Sequence, residues 1–314
     1  MKRIGFLYEK IIDKENLYKA EKKARKGKSN RKDILKFIEN LDDNIDLLYK
    51  QLLNQTYSTG QYYHFIIFEP KPRNISKLPY KDRIVHWAII LILEPIFVKS
   101  FISQTYSCLK NRGILACLKN LKKGLKDNKY NKFCLKLDIR KFYESVNNQI
   151  LKNLLRRKFK DNKLLKLLDN IIDSIEALPL GSLTSQFFAN FYINGLNHWL
   201  KEVKCVKYLQ VYCDDFCILS NNKLYLHQLR KEIQQYLKEN LNLQLSRYRI
   251  FPTYLGIDFV GYVSYYNHTK LRKSIKLRWQ KMLRDNFNNK SIASYNGWLI
   301  HANCTNLQNK YLNK

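Results

Sequence analysis

Along the first sixty residues, apolar side chains recur every three to four positions. Ile34, Phe37, Ile38, Leu41, Ile45, Leu48 and Leu52 fall on one stripe, which predicts an amphipathic helix ending near Thr59-Gly60. The charged stretch Lys19 to Lys32, with Gly27 inside it, reads as a solvated helix end or loop. Tyr62 to Phe68 reads as a strand, broken by Glu69-Pro70-Lys71-Pro72-Arg73. Lys81-Asp82-Arg83 opens a helix that is apolar on nearly all sides as far as Pro95, the pattern of a buried helix. A second strand, Phe133 to Leu137, ends on Asp138, and Leu151 to Ile175 reads as helix with a basic turn at Lys152 to Lys160. After Pro179-Leu180-Gly181, a further helix carries Phe188, Phe191, Tyr192, Gly195, Leu196 and Trp199 on one stripe. Val206 to Tyr212 and Phe216 to Leu219 flank Asp214-Asp215 as the arms of a hairpin. An amphipathic segment through Leu226, Leu229, Ile233, Tyr236 and Leu237 follows, then a hairpin from Leu255 to Tyr266 with Gly256 and Gly261. The tail from Lys270 to Lys314 is basic and reads as helical. No internal repeat is visible, and the mixture predicts an α+β catalytic body with helical ends.

Composition narrows the classes. A chain of 314 residues suggests about two domains, and 45% hydrophobic with 13% aromatic residues can bury a sizeable core, which excludes wholesale disorder. With 57 Lys plus Arg against 26 Asp plus Glu, the net charge of +31 points to polyanions, nucleic acid first and anionic membrane second. Abundant Lys, Asn, Ile and Tyr is also what an AT-rich genome produces, so charge alone does not decide. The seven cysteines are odd in number and contain no CxxC pair, which fits neither a zinc ribbon nor a secreted disulfide framework. The apolar stretch Ile4 to Tyr8 is too short for a signal peptide. The longest apolar run, Ile84 to Leu93, contains His86 and falls far short of the ~20 residues a bilayer needs. The expectation is a soluble, cytoplasmic protein with no membrane partner.

The sharpest chemical signal is Tyr212-Cys213-Asp214-Asp215. Two adjacent carboxylates at a hairpin tip repel each other when both ionise, and a divalent cation with a taste for oxygen ligands relieves that repulsion. Asp138, at the end of another apolar strand, is placed to converge on the same point. Three carboxylates holding two metals is what in-line phosphoryl transfer requires. Taken alone, an Asp-Asp pair in a loop is equally an ordinary turn.

An ordered set of motifs goes further. Lys71-Pro72-Arg73 precedes Leu78-Pro79-Tyr80-Lys81-Asp82-Arg83, then Leu137-Asp138-Ile139-Arg140-Lys141-Phe142-Tyr143 and Leu180-Gly181-Ser182-Leu183-Thr184-Ser185-Gln186. Tyr212-Cys213-Asp214-Asp215 and Gly256-Ile257-Asp258-Phe259-Val260-Gly261-Tyr262 complete the series, with Ser294-Tyr295-Asn296-Gly297 and His301-Ala302-Asn303 in the tail. In order and separation this resembles the reverse transcriptases, above all the prokaryotic enzymes of diversity-generating retroelements, in the same superfamily as group II intron and retron enzymes. The similarity runs from about Tyr8 through the tail.

The resemblance implies an RNA-directed DNA polymerase with a right-hand fold. Residues 1–60 would be an N-terminal helical extension, 61–134 fingers, 135–262 palm with a helical insertion at about 147–177, and 263–314 a small helical thumb. Asp138, Asp214 and Asp215 match the catalytic triad that holds two Mg²⁺ ions. Tyr143 matches the aromatic gate against a 2′-hydroxyl, with a plain core tyrosine as the other reading. Lys71 and Arg73 match fingers residues that hold the incoming dNTP, beside which a solvated loop charge stays open; Leu180, Gly181 and Gln186 belong to the same nucleotide site. Asp82 and Arg83 read as architecture, pairing at a helix start. Most reverse transcriptases have Gln where Leu180 stands and Pro where Gln186 stands, whereas this pattern is that of the diversity-generating enzymes, whose copying errs at template adenines. Leu180 cannot donate the hydrogen bonds of a Gln, a loss worth ~1 kcal/mol of discrimination, roughly fivefold.

Partners follow from the same likeness: template RNA, primer and cDNA, dNTPs, and a small basic accessory protein. Lys270, Arg272, Lys273, Lys276 and Arg278, interleaved with Leu271, Leu277 and Trp279, suit a grip on an RNA–DNA hybrid or else a solvated helix face. Two departures stand out. Gly113-Ile114-Leu115-Ala116 lacks a His common in the family, and Ser246-Arg247-Tyr248-Arg249 shortens a Lys-rich stretch, leaving the general acid for pyrophosphate unassigned. The alternatives are a retron or phage-defence reverse transcriptase and a non-catalytic RNA-binding scaffold.

Overall fold

Long-range contacts divide the chain, a computed structural model that describes residues 3–68, 72–127, 131–284 and 289–312, into two units. The first gathers Met1–Phe101, Lys141–Gly195 and Leu237–Leu243. Its centre is the helix Tyr80–Ser100, which buries Ile84, Val85, Ala88, Ile89, Leu93 and Phe97 and packs against the helices Lys14–Arg25 and Leu183–Tyr192. Apart from Ala88, each of these side chains contributes ~1.5–3 kcal/mol on burial. Asn16 Nδ2 donates to Ala88 O at 3.1 Å and Arg83 to Ala24 O at 2.8 Å, which fixes the first of these helix pairs. Phe97 sits among the rings of Phe101, Phe159, Phe187, Phe188 and Phe191. Strands β1 (Tyr63–Ile67) and β2 (Arg73–Lys77) form an antiparallel ribbon.

The second unit comprises Ile102–Arg140, Leu196–Tyr236 and Gln244–Lys314. Its four-stranded sheet has the order β4-β5-β3-β6, with β3 Phe133–Ile139, β4 Tyr208–Tyr212, β5 Asp215–Ser220 and β6 Leu245–Pro252. Neighbouring strands in it are antiparallel. The helix Ile114–Lys126 covers one face through Cys117, Leu121 and Leu125, which pack with Cys134, Cys217, Leu219 and Phe251. A smaller antiparallel sheet joins β7 (Ile257–Phe259), β8 (Tyr262–Ser264) and β9 (Thr269–Leu271). Trp279 and Met282, on the helix Lys273–Arg284, pack with Tyr262, Leu271 and Leu299. No helix among the described residues is long and apolar enough to cross a membrane.

Several sequence expectations change. The single helix expected through Ile34–Leu52 is two, Lys32–Glu39 and Leu41–Leu53, broken at Asn40, whose φ of −125° and ψ of 53° leave the helical region. Leu151–Ile175 likewise divides into Asn148–Lys158 and Asn162–Asp173, where Asp161 caps the second helix and accepts from Leu7 N and Tyr8 N. Pro95 does not stop its helix, which runs on to Ser100 and buries Phe97 beyond it. Asp82 and Arg83 do not pair at their helix start: Asp82 accepts from Tyr57 Oη at 2.8 Å, and Arg83 holds Ala24 O. Strands β2, β6 and β9 lie where no strand was expected, and Lys270 is on β9 rather than a helix.

Candidate active site

The expected hairpin forms. β4 and β5 pair with Tyr212 opposite Asp215, so Cys213-Asp214 is a two-residue tip, with Cys213 at φ 58°, the left-handed region that glycine fills most easily. β5 also pairs with β3, and the register sets Asp138 directly opposite Asp215. Ile139 N donates to Asp214 O at 3.2 Å, tying the tip to the same strand. On the other side of β3, β6 places Arg247 opposite Asp138, and the register shifts at Asp138/Ile139. Ser246 Oγ donates to Asp138 Oδ2.

Burial pushes the Asp215 carboxyl above the ordinary carboxylate range; Lys136 and Arg272 oppose that shift, while Asp138 and Asp258 add to it. An acid raised by desolvation and by a like charge on the next strand is one that a cation would return to its ionised form. Asp138 and Asp215 therefore fit an oxygen-seeking divalent ion as a pair. No group of three or more His, Cys, Asp or Glu side chains stands together as a cation site among the described residues. Lys136 is held in place, its Nζ donating to Asp258 O at 2.8 Å, and Arg272 Nε meets Asp258 Oδ1 at 2.6 Å. Arg272 thus has an acidic partner within its own unit, whereas Lys270, Lys273 and Lys276 are exposed and Arg278 is half-buried.

The nucleotide-site candidates lie in the first unit. Lys71 lies outside the described residues, and Arg73 is the exposed first residue of β2. Leu180 O accepts from Ser76 N of β2 at 2.9 Å, and Tyr143 O accepts from Leu178 N at 3.2 Å, so the ribbon, the Leu180 loop and the half-buried Tyr143 are linked through the backbone. Gly181 has φ 107°, and a Cβ there would lie 3.1 Å from Ile75 Cγ2 and 3.4 Å from Ser76 O, so the loop demands glycine. Beside it lies a cavity of about 690 Å³ lined by Ser76, Glu144, Asn147, Asn148, Leu180 and Asn242. Gln186 is half-buried on the following helix.

Two residues named in the sequence turn out to have roles there that the sequence did not assign. Ser246 belongs to a strand with no apolar alternation to announce it. His86 is buried, as a core histidine should be, but it also braces the Leu180 loop: its Nδ1 lies 3.0 Å from Ser182 Oγ and 2.9 Å from Thr184 Oγ1. Burial lowers its pKa to about 3, so the ring is neutral at pH 7 and Nδ1 shares hydrogen bonds with the two hydroxyls.

The family model for reverse transcriptase (RNA-dependent DNA polymerase) matches residues 69–263, a stretch that contains both Asp138 and the Asp214-Asp215 hairpin. Protein YkfC of Escherichia coli K12 is 23% identical over 145 residues, covering 42% of this chain and 38% of the relative. Among solved structures, telomerase from Candida tropicalis in complex with a fragment of telomeric RNA superposes with a TM-score of 0.50 at 14% identity, over 78% of this chain and 53% of that one. Telomerase from Candida albicans, also in complex with a telomeric RNA fragment, gives 0.51 at 10% identity, over 75% and 52%. At these identities the likeness is one of fold, that of the right-hand polymerases with fingers, palm and thumb. The chain spans about half the length of each telomerase and 38% of the curated relative.

Proposed function

The chain belongs to the reverse transcriptase (RNA-dependent DNA polymerase) family, and from that premise we propose that it extends a primer 3′-hydroxyl with dNTPs on an RNA template. The observation that carries this reading is the register of Asp138 opposite Asp215 beside the Asp214 tip, inside the family match. Asp138, Asp214 and Asp215 would hold two Mg²⁺ ions. Bound there, the metals supply charge neutralisation for the attacking oxygen and the departing pyrophosphate. The chain's own residues do the rest. Ser246 orients the Asp138 carboxylate, and Arg73 with Lys71 grips the triphosphate. Tyr143 lies against the sugar, and the Leu180–Gly181 loop, braced by His86, carries the nascent pair.

The finer reading is a mutagenic enzyme that makes cDNA of a template repeat for a diversity-generating retroelement, working with a small basic accessory protein. Leu180 and Gln186 support it, because an apolar Leu180 withdraws a hydrogen-bond donor from the nascent pair. Primer extension on a defined RNA, with the product sequenced, tests both levels. The proposal expects product that disappears in the Asp214→Ala, Asp215→Ala variant and carries errors concentrated at template adenines, with Leu180→Gln lowering those errors roughly fivefold. Faithful product would favour a retron or phage-defence enzyme. No product with candidate partner added would leave an RNA-binding scaffold.

A further inference from the structure

The second unit contains a large groove that the polymerase reading does not use. It measures about 1060 Å³ and runs along the outer face of the helix Ile114–Lys126. That helix faces two ways. Cys117, Leu121 and Leu125 enter the core below, whereas Leu115, Lys119, Lys122 and Lys126, spaced four, three and four residues apart, line the groove. At 1.5 Å per residue this stripe is ~16 Å long. Lys123, Arg112 and His301 line the groove as well, and among the described residues no acidic one does. None of the four lysines is in an ion pair among the described residues. Lys119, Lys123 and Lys126 are exposed, so like charges stand side by side unneutralised.

The lining is otherwise apolar and amide. Leu115 and Ile300, 49% and 73% exposed, put apolar surface beside these cations, where a flat base could lie. Asn120 gives its Nδ2 to Tyr106 Oη, which leaves its Oδ1 as an acceptor beside the cations. Cations track phosphates, apolar surface takes base faces, and neutral polar groups meet 2′-hydroxyls.

We infer that this groove binds a single-stranded stretch of RNA, at a site separate from the Asp138–Asp215 pair. Charge complementarity selects a polyanion, and the exposed Leu115 and Ile300 select one with bare bases over a duplex, whose bases are stacked inward. The inference rests on the polymerase reading only for the supposition that the protein meets RNA; the groove's chemistry stands apart from catalysis.

The test uses the full chain and fluorescein-labelled oligouridine, with affinity measured by anisotropy as salt is raised and no dNTP present. Four phosphate contacts on a single strand contribute a slope of about 2.8, so affinity lost between ~50 and ~200 mM salt should be about 50-fold smaller in the Lys119→Gln, Lys122→Gln, Lys123→Gln, Lys126→Gln variant. A second variant removes four exposed lysines elsewhere, Lys22→Gln, Lys23→Gln, Lys26→Gln, Lys36→Gln, and should keep nearly the wild-type slope. Equal slopes in the two variants would overturn the inference, as would tighter groove-dependent binding of polyglutamate or oligodeoxythymidine than of oligouridine. Near-ultraviolet crosslinking of 4-thiouridine RNA to wild-type protein gives a reading that needs no variant: adducts within Ser103–Lys126 or at Ile300 and His301 support the site, and adducts confined to peptides outside the groove refute it. Extension of a short primer–template is assayed in parallel. Groove binding without extension would sink the polymerase reading and leave this one standing; extension without groove binding would do the reverse.

Discussion

His86 makes a quantitative link between burial and pH. It is about 1% exposed, its Nδ1 is hydrogen-bonded to the Ser182 and Thr184 hydroxyls, and burial lowers its pKa to about 3 from an ordinary 6.5. Because the folded-state pKa is depressed, the unfolded chain binds the proton that the folded chain refuses, in the window between those two values. Stability from this group is therefore complete above pH ~6.5 and is lost as pH falls toward 3, at ~1.4 kcal/mol per pH unit. Between pH 7 and pH 5 the loss is ~2 kcal/mol. The variant is His86→Asn, which keeps a hydrogen-bonding group near the two hydroxyls and removes the titrating ring. Urea unfolding followed by circular dichroism at both pH values, on both proteins, cancels the acid response of all other groups. Wild type should lose ~2 kcal/mol more than the variant over that interval. Equal losses, within ~0.5 kcal/mol, would refute a buried neutral imidazole and with it the brace under the Leu180 loop.

Two further outcomes follow from the same geometry. Asp215→Asn should raise stability at pH 7, or leave it unchanged, while abolishing extension, since the charged carboxylate is disfavoured by burial and by Asp138; thermal melting beside primer extension checks this, and a clear drop in melting temperature would count against it. Gly181→Ala should cost ~1–3 kcal/mol and exceed the cost of Gly27→Ala, whose φ of 70° is also left-handed but whose Cβ would meet nothing within 4 Å; equal costs would show that the approach of Ile75 is irrelevant.

How much of this was legible in the sequence depended on whether burial wrote a pattern. The Asp214-Asp215 hairpin was readable because two apolar runs bracket a polar tip. The helix Tyr80–Ser100 was readable because it is apolar all round. β6 was not, because Ser246, Arg247, Tyr248 and Arg249 are exposed or half-buried and are held by backbone bonds to β3, which carry no side-chain signature. The ribbon strand β2 was hidden for the same reason, its first residues Arg73 and Asn74 being exposed. Asp138 could be placed at a strand end, but its facing residue depended on a register between strands more than 70 positions apart. The role of His86 needed Ser182 and Thr184, almost 100 residues away, to be brought to its ring.

The carboxylates on β3 and the β4–β5 hairpin are proposed to run RNA-templated DNA synthesis. The most direct measurement is incorporation of labelled dNTPs into a primer on an RNA template by purified protein, with and without Mg²⁺, for wild type and Asp138→Asn. Incorporation that requires RNA, dNTPs and Mg²⁺, and that falls at least ~100-fold in the variant, is the expected result. Wild-type incorporation by Asp138→Asn would contradict the account.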